Sequence, residues 1–185
     1  PPPTVDISVE TSAEPLLPLA SELQSDHLAV TAKAGHIQSG VPTRLVIPAI
    51  ALDSEVVPVG WQPAVIDGIT YNQWNTADAL VGWHNRSAKL GQVGNIVLNG
   101  HGDVSAEVFR NLKYIEIGDE ITVFSGERDY RYTVTEKFVV EEKEVPMEER
   151  LGNAKWIAGT PDERLTLITC ANPGATHRLI VIARP

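Results

Sequence analysis

From Val41 onward the chain carries short apolar runs, each halted by proline, glycine or a polar turn. Runs of this length bounded by turn residues predict strands rather than helices. Arg44-Leu45-Val46-Ile47 is closed by Pro48, and Ser54-Glu55-Val56-Val57 by Pro58. Asn95 to Asn99 reads as a buried strand ending at Gly100, and Asp119 to Phe124 follows Gly118 and stops at Ser125-Gly126. Tyr130 to Val140 alternates in period two, the mark of a half-buried strand. Leu165 to Cys170 and Arg178 to Ala183 are the last two, joined by a loop with the turn residues Asn172-Pro173-Gly174. Helical signals are few. Asp103 is placed to cap a turn or two through Leu112, with Val108, Phe109 and Leu112 on one face. Pro146 is placed to open a helix with Glu148 and Glu149 in its first turn. Roughly seven or eight short strands predict a mainly β fold with a few short helices, a closed or nearly closed barrel.

The first 40 residues break this pattern. They hold Pro1, Pro2, Pro3, Pro15 and Pro18, the acids Asp6, Glu10, Glu14, Glu22 and Asp26, a single base, Lys33, and no Phe, Trp or Tyr. So little apolar surface does not offset the entropy of ordering it. Residues 1–40 are therefore expected to form a flexible acidic stalk, with a lid over an active site as the alternative, and residues 41–185 the folded domain. Composition then narrows the function. The chain has 24 Asp plus Glu against 15 Lys plus Arg, a net charge of −9. That balance argues against nucleic acid as the main partner. One cysteine excludes an intrachain disulfide framework and a cysteine zinc knuckle. No apolar run approaches the ~18 residues of a membrane span. Because the chain opens on Pro1, an anchor segment is expected upstream of it.

Three residues stand where chemistry is commonly placed, at strand ends. Cys170 ends the run Thr166-Leu167-Ile168-Thr169-Cys170, sharing a face with Thr166 and Ile168. A lone cysteine is most often a small buried hydrophobe, but this one precedes a turn, where side chains reach solvent and substrate. His101 lies between Gly100 and Gly102, which are expected to let the backbone turn sharply and leave the imidazole uncrowded. Arg178 opens the final strand, and a hairpin-like turn between it and Cys170 would bring the two together. A thiol, an imidazole and a guanidinium supply a nucleophile, an acid/base and an electrophilic stabiliser.

These segments resemble one family. Thr166 to Cys170 matches the Thr-Leu-x-Thr-Cys signature of sortases, the cysteine transpeptidases of bacterial cell surfaces. Asn172 to Ile182, with Thr176-His177-Arg178-Leu179, is similar to the family's loop and final strand bearing the essential arginine. Gly100-His101, then Val108-Phe109-Arg110-Asn111-Leu112 and Gly118-Asp119, resembles its catalytic-histidine region. The resemblance covers about Pro42 to Pro185 and implies the family's closed eight-stranded β-barrel. It implies Cys170 as nucleophile, His101 as acid/base, Arg178 as stabiliser of the oxyanion or of substrate carbonyls, and Thr169 as a substrate contact. The implied substrate is a C-terminal sorting signal of Leu-Pro-x-Thr-Gly type, cut between Thr and Gly through a Cys thioester. The acyl group then passes to a cell-surface amine of peptidoglycan or its precursor. The implied location is the extracellular face of the bacterial cytoplasmic membrane, by an N-terminal anchor.

Some assignments stay open at this point. His84, flanked by Trp83 and near Trp74, is a rival base, a substrate contact or a core histidine. His177 is read as structural, on the strand face opposite Arg178, and Asp103 as a helix cap or an orienter of His101. Glu141, Glu142, Glu144, Glu148 and Glu149 form an acidic stretch where some sortases bind calcium, yet no spaced calcium loop is visible. No cofactor is expected, with calcium as the alternative. A pilus-polymerising sortase is disfavoured by the lack of any Asp-Pro dipeptide for a lid motif, and the resemblance is nearer the housekeeping-like or class D and E enzymes. Against an active transpeptidase stand a hydrolytic cysteine peptidase and an inactive signal-binding domain.

Overall fold

The computed structural model describes residues 40–185, apart from 67, 103–106, 172, 173 and 175. Its strands are β1 (Arg44–Ile47), β2 (Leu52–Val59), β3 (Trp61–Ile66), β4 (Ile69–Trp74), β5 (Val81–His84), β6 (Gly94–Asn99), β7 (Glu120–Ser125), β8 (Arg128–Glu141), β9 (Glu163–Cys170) and β10 (His177–Arg184). Eight of them close a barrel in the order β1-β2-β5-β6-β9-β10-β8-β7, and β3 and β4 pair as a separate hairpin. The barrel is antiparallel except at two seams, β2 beside β5 and β6 beside β9, which are parallel. Closure leaves no open edge among the barrel strands.

Alternation along the strands fills the interior. Leu45 and Ile47 of β1, Ile121 and Val123 of β7, and Leu165 and Leu167 of β9 are fully buried in one apolar cluster. Tyr132 and Val134 of β8 and Leu179 and Val181 of β10 complete its far wall. β6 is buried along its whole length, because its outward face is covered as well. There Asn95 donates from Nδ2 to the carbonyls of Trp156 at 2.9 Å and Ala158 at 3.1 Å. Its Oδ1 accepts from Thr166 Oγ1 at 2.7 Å. A buried amide so satisfied holds the segment before β9 against the outside of the sheet.

Several expectations are corrected in detail. β2 runs through Pro58 to Val59. Its seam with β5 is parallel, and Pro58 stands opposite Trp83 in it. The hairpin β3–β4 and the four-residue β5 carry no clear apolar period. The helix expected from Asp103 to Leu112 is instead, where described, a run of turns and a short 3-10 segment at Leu112–Tyr114. Its apolar residues behave as expected, with Phe109 and Leu112 buried and Val108 packed on the core. Asp103 lies outside the described residues, as does the stalk or lid up to residue 39. The acidic-start helix forms as α1 (Met147–Asn153), with Glu148 and Glu149 in its first turn. No helix of the described residues is long and apolar enough to cross a membrane.

Candidate active site

The site is assembled by three neighbouring strands. β9 and β10 pair antiparallel with Arg178 directly opposite Cys170, and Ala171 N–H donates to the His177 carbonyl one step further on at 3.0 Å. The hairpin therefore brings guanidinium and thiol together: Arg178 Nη1 donates to Cys170 Sγ at 3.4 Å. A cation hydrogen-bonded to the sulfur favours the thiolate, the nucleophilic form. Cys170 is half-buried, so the sulfur is both sheltered and reachable.

His101 arrives on the other side of β9. β6 and β9 run parallel with Asn99 opposite Ile168, and the pairing persists past the end of β6. Gly100 N–H donates to the Ile168 carbonyl at 3.2 Å, and Thr169 Oγ1 donates to the Gly100 carbonyl at 2.9 Å. His101 itself is half-buried, its carbonyl accepting from Phe109 N–H at 2.8 Å. The chain bends at Gly102, and neither flanking glycine takes a positive φ. They permit close approach. A Cβ at Gly100 would stand 2.6 Å from Val108 Cγ1 and 2.9 Å from Phe109 Cδ2. One at Gly102 would stand 2.3 Å from Thr169 Oγ1 and 3.1 Å from the Cys170 carbonyl. The histidine segment thus lies directly on the cysteine strand.

A cleft of about 470 Å³ opens at Cys170, with Gly102, Phe109, Thr169 and Leu179 in its walls. Thr169 is buried at 4% exposure, its hydroxyl engaged with Gly100. Arg110, Lys113 and Lys137 also line the cleft, together with Glu107. Sequence reasoning did not single them out as site residues; the spacing of Arg110 and Lys113 was the one available signal.

The remaining candidates lie apart from this cleft. His84, 3% exposed, stacks on Trp74 at 4.1 Å with the rings 10° from parallel. Burial lowers its pKa to about 4, so it is neutral near pH 7, and its Nε2 has no hydrogen-bond partner. It lines a second cavity of about 350 Å³ that Cys170 does not touch. Trp83 turns instead into the core, with its indole N–H donating to the Ala88 carbonyl at 3.3 Å. His177 contacts Thr176 Oγ1 at 2.8 Å and Glu141 Oε1 at 3.7 Å. Among the described residues, no group of three or more His, Cys, Asp or Glu side chains is gathered as a metal site requires.

Comparison with known proteins bears on the same region. The model of the Sortase domain family matches residues 45–185. Sortase A of Listeria monocytogenes is 34% identical over 116 residues, covering 61% of this chain, which spans about half (48%) of that relative's length. The solved structure of Listeria monocytogenes sortase A shares the fold at a TM-score of 0.57 and 23% identity, over 78% of this chain and 86% of that one. A Clostridium perfringens sortase D5 transpeptidase does so at 0.57 and 21%, over 78% of each chain. Sortases of two classes therefore stand at equal structural distance. A barrel with cysteine and arginine paired across its last two strands, matched by that family over nearly all the described residues, belongs to the sortase family.

Proposed function

We propose that this domain is an active sortase that cuts a Leu-Pro-x-Thr-Gly-like signal between Thr and Gly and passes the acyl group to an amine. Sortases in general are cysteine transpeptidases of the cell surface. The observation that carries the active reading is the hydrogen bond from Arg178 to the Cys170 sulfur at 3.4 Å. A cysteine kept only for packing would have no reason to face a guanidinium at a strand end beside an open cleft.

In this reading Cys170 thiolate attacks the Thr carbonyl carbon, and the oxyanion that develops takes hydrogen bonds from Arg178. His101, as imidazolium, protonates the departing Gly amine, and the C–N bond breaks to leave a thioester on Cys170. The neutral His101 then takes a proton from the incoming amine. That amine attacks the thioester carbonyl, and the C–S bond breaks to restore the thiolate. Thr169, in the cleft wall, is assigned a supporting contact to the signal. The same reading places the enzyme on the outer face of the cytoplasmic membrane, held by a segment N-terminal to the domain. Its partners are sorted surface proteins and an amine of peptidoglycan or its precursor.

Mass spectrometry of a reaction containing Leu-Pro-x-Thr-Gly or Leu-Ala-x-Thr-Gly peptide and triglycine tests this directly. A ligated product that disappears in Cys170→Ala is expected. Cleavage without ligation would mark a peptidase. The absence of any adduct on Cys170 with either peptide would overturn the proposal.

A further inference from the structure

The cleft at Cys170 has a chemical asymmetry that the first half-reaction does not use. Its lining joins Cys170 and Gly102 with three cations, Arg110, Lys113 and Lys137. The single acid among its lining residues, Glu107, is already 3.3 Å from Arg110 Nε. In a chain of net charge −9 this opening is locally positive. Lys137 is fixed there by donating to the carbonyls of Lys113 at 2.6 Å and Ile115 at 2.9 Å, which leaves a third ammonium proton. Lys113 is exposed, over the Tyr114 ring at 5.2 Å, and no carboxylate lies within 4.0 Å of its ammonium among the described residues. Cations gathered at an opening focus anions toward it.

From this we infer, resting on the transpeptidase reading above, that the cleft admits the second substrate and that this amine acceptor carries an anionic group, a carboxylate or a phosphate. The anion lies against Lys113, Arg110 and the remaining proton of Lys137. The amine reaches the thioester from the side of Gly102, the lining residue that follows His101 in the chain. The amine nitrogen bonds to the thioester carbonyl carbon, its proton passes to His101, and the Cys170 sulfur leaves as thiolate.

The test uses the whole chain with a Leu-Pro-x-Thr-Gly donor and three acceptors: triglycine, its uncharged C-terminal amide, and the same peptide capped by aminoethyl phosphate. Each exposed cation contributes about a two- to fivefold preference. The acceptor KM of the charged peptides is therefore expected about three- to tenfold below that of the amide, with the gap closing at high salt. The order of carboxylate and phosphate identifies which anion the rim fits. The ratio of charged to neutral acceptor within each variant cancels any loss of folded enzyme. It should fall to about one in Arg110→Glu/Lys113→Glu and persist in Lys113→Arg. Equal KM values for charged and neutral acceptors, or a ratio unchanged in the double variant, overturns the inference while thioester formation on Cys170 still supports the transpeptidase. Failure to form that thioester overturns both.

Discussion

His84→Phe separates the buried imidazole's charge from its shape. In the native chain the ring is stacked on Trp74 and its pKa is lowered by burial from 6.5 to about 4. Between those values the unfolded chain binds a proton that the native chain refuses. Its stabilising effect is therefore complete above about pH 6.5 and is lost as the pH falls towards 4. Integrating between pH 7 and pH 5 gives a loss of about 2 kcal/mol from this group alone. Phenylalanine keeps a planar ring of similar size, removes the unpartnered Nε2 and cannot titrate. At pH 7 the variant should lie within about 1 kcal/mol of the parent, since deleting an orphaned buried nitrogen offsets small packing misfits. Urea unfolding followed by tryptophan fluorescence at pH 7 and pH 5 measures both differences. The parent should lose about 2 kcal/mol more than His84→Phe over that interval. Equal losses would refute the reasoning, by showing that the imidazole is protonated in the folded chain or that the native site opens to water.

Two further substitutions probe the site itself. Arg178→Lys keeps the charge but loses the planar fork beside Sγ, and it should lower the rate of thioester formation by about 10²- to 10³-fold in a quenched-flow mass assay. Gly102→Ala places a methyl 2.3 Å from Thr169 Oγ1 and 3.1 Å from the Cys170 carbonyl. Its melting curve should show a cost of about 1–3 kcal/mol, accompanied by slower transfer because the histidine segment is pushed off the cysteine strand.

What was legible from the chain follows from where the determinants lie. The runs at Leu45 and Ile121 announce strands because one face of each enters the core and burial repeats every second residue, whereas those at Leu165 and Leu179 are near-continuous apolar runs buried on both faces. β5 announces nothing. Its four residues are all buried, and Gly82 is needed because a Cβ there would meet Asn99 Oδ1 at 2.4 Å. That constraint is made by a partner strand distant in sequence. β3 is obscured by Pro63, which is tolerated because its hairpin stands outside the barrel ladder. The cationic rim was invisible for a similar reason. Arg110 and Lys113 sit in one loop and Lys137 in β8, and they meet only where the cleft forms.

The two glycines beside His101 explain how the site keeps its geometry. Both are contact points, so the segment carrying His101 takes its position from the parallel seam of β6 and β9, as Arg178 takes its own from the antiparallel pairing of β9 and β10. Cys170 belongs to the strand shared by both seams. Cys170, Arg178 and the segment carrying His101 are therefore indexed to one another by backbone hydrogen bonds at two seams of a single closed sheet. Groups held on strands keep closer tolerances than groups held on loops. What this leaves adjustable is the cationic lining of the cleft, since Arg110 and Lys113 ride on turns and a short 3-10 stretch tied to the barrel through Phe109 and Lys137. Under the proposed acceptor role, substitutions in that segment would change acceptor choice and leave the pairing of Cys170 with Arg178 intact.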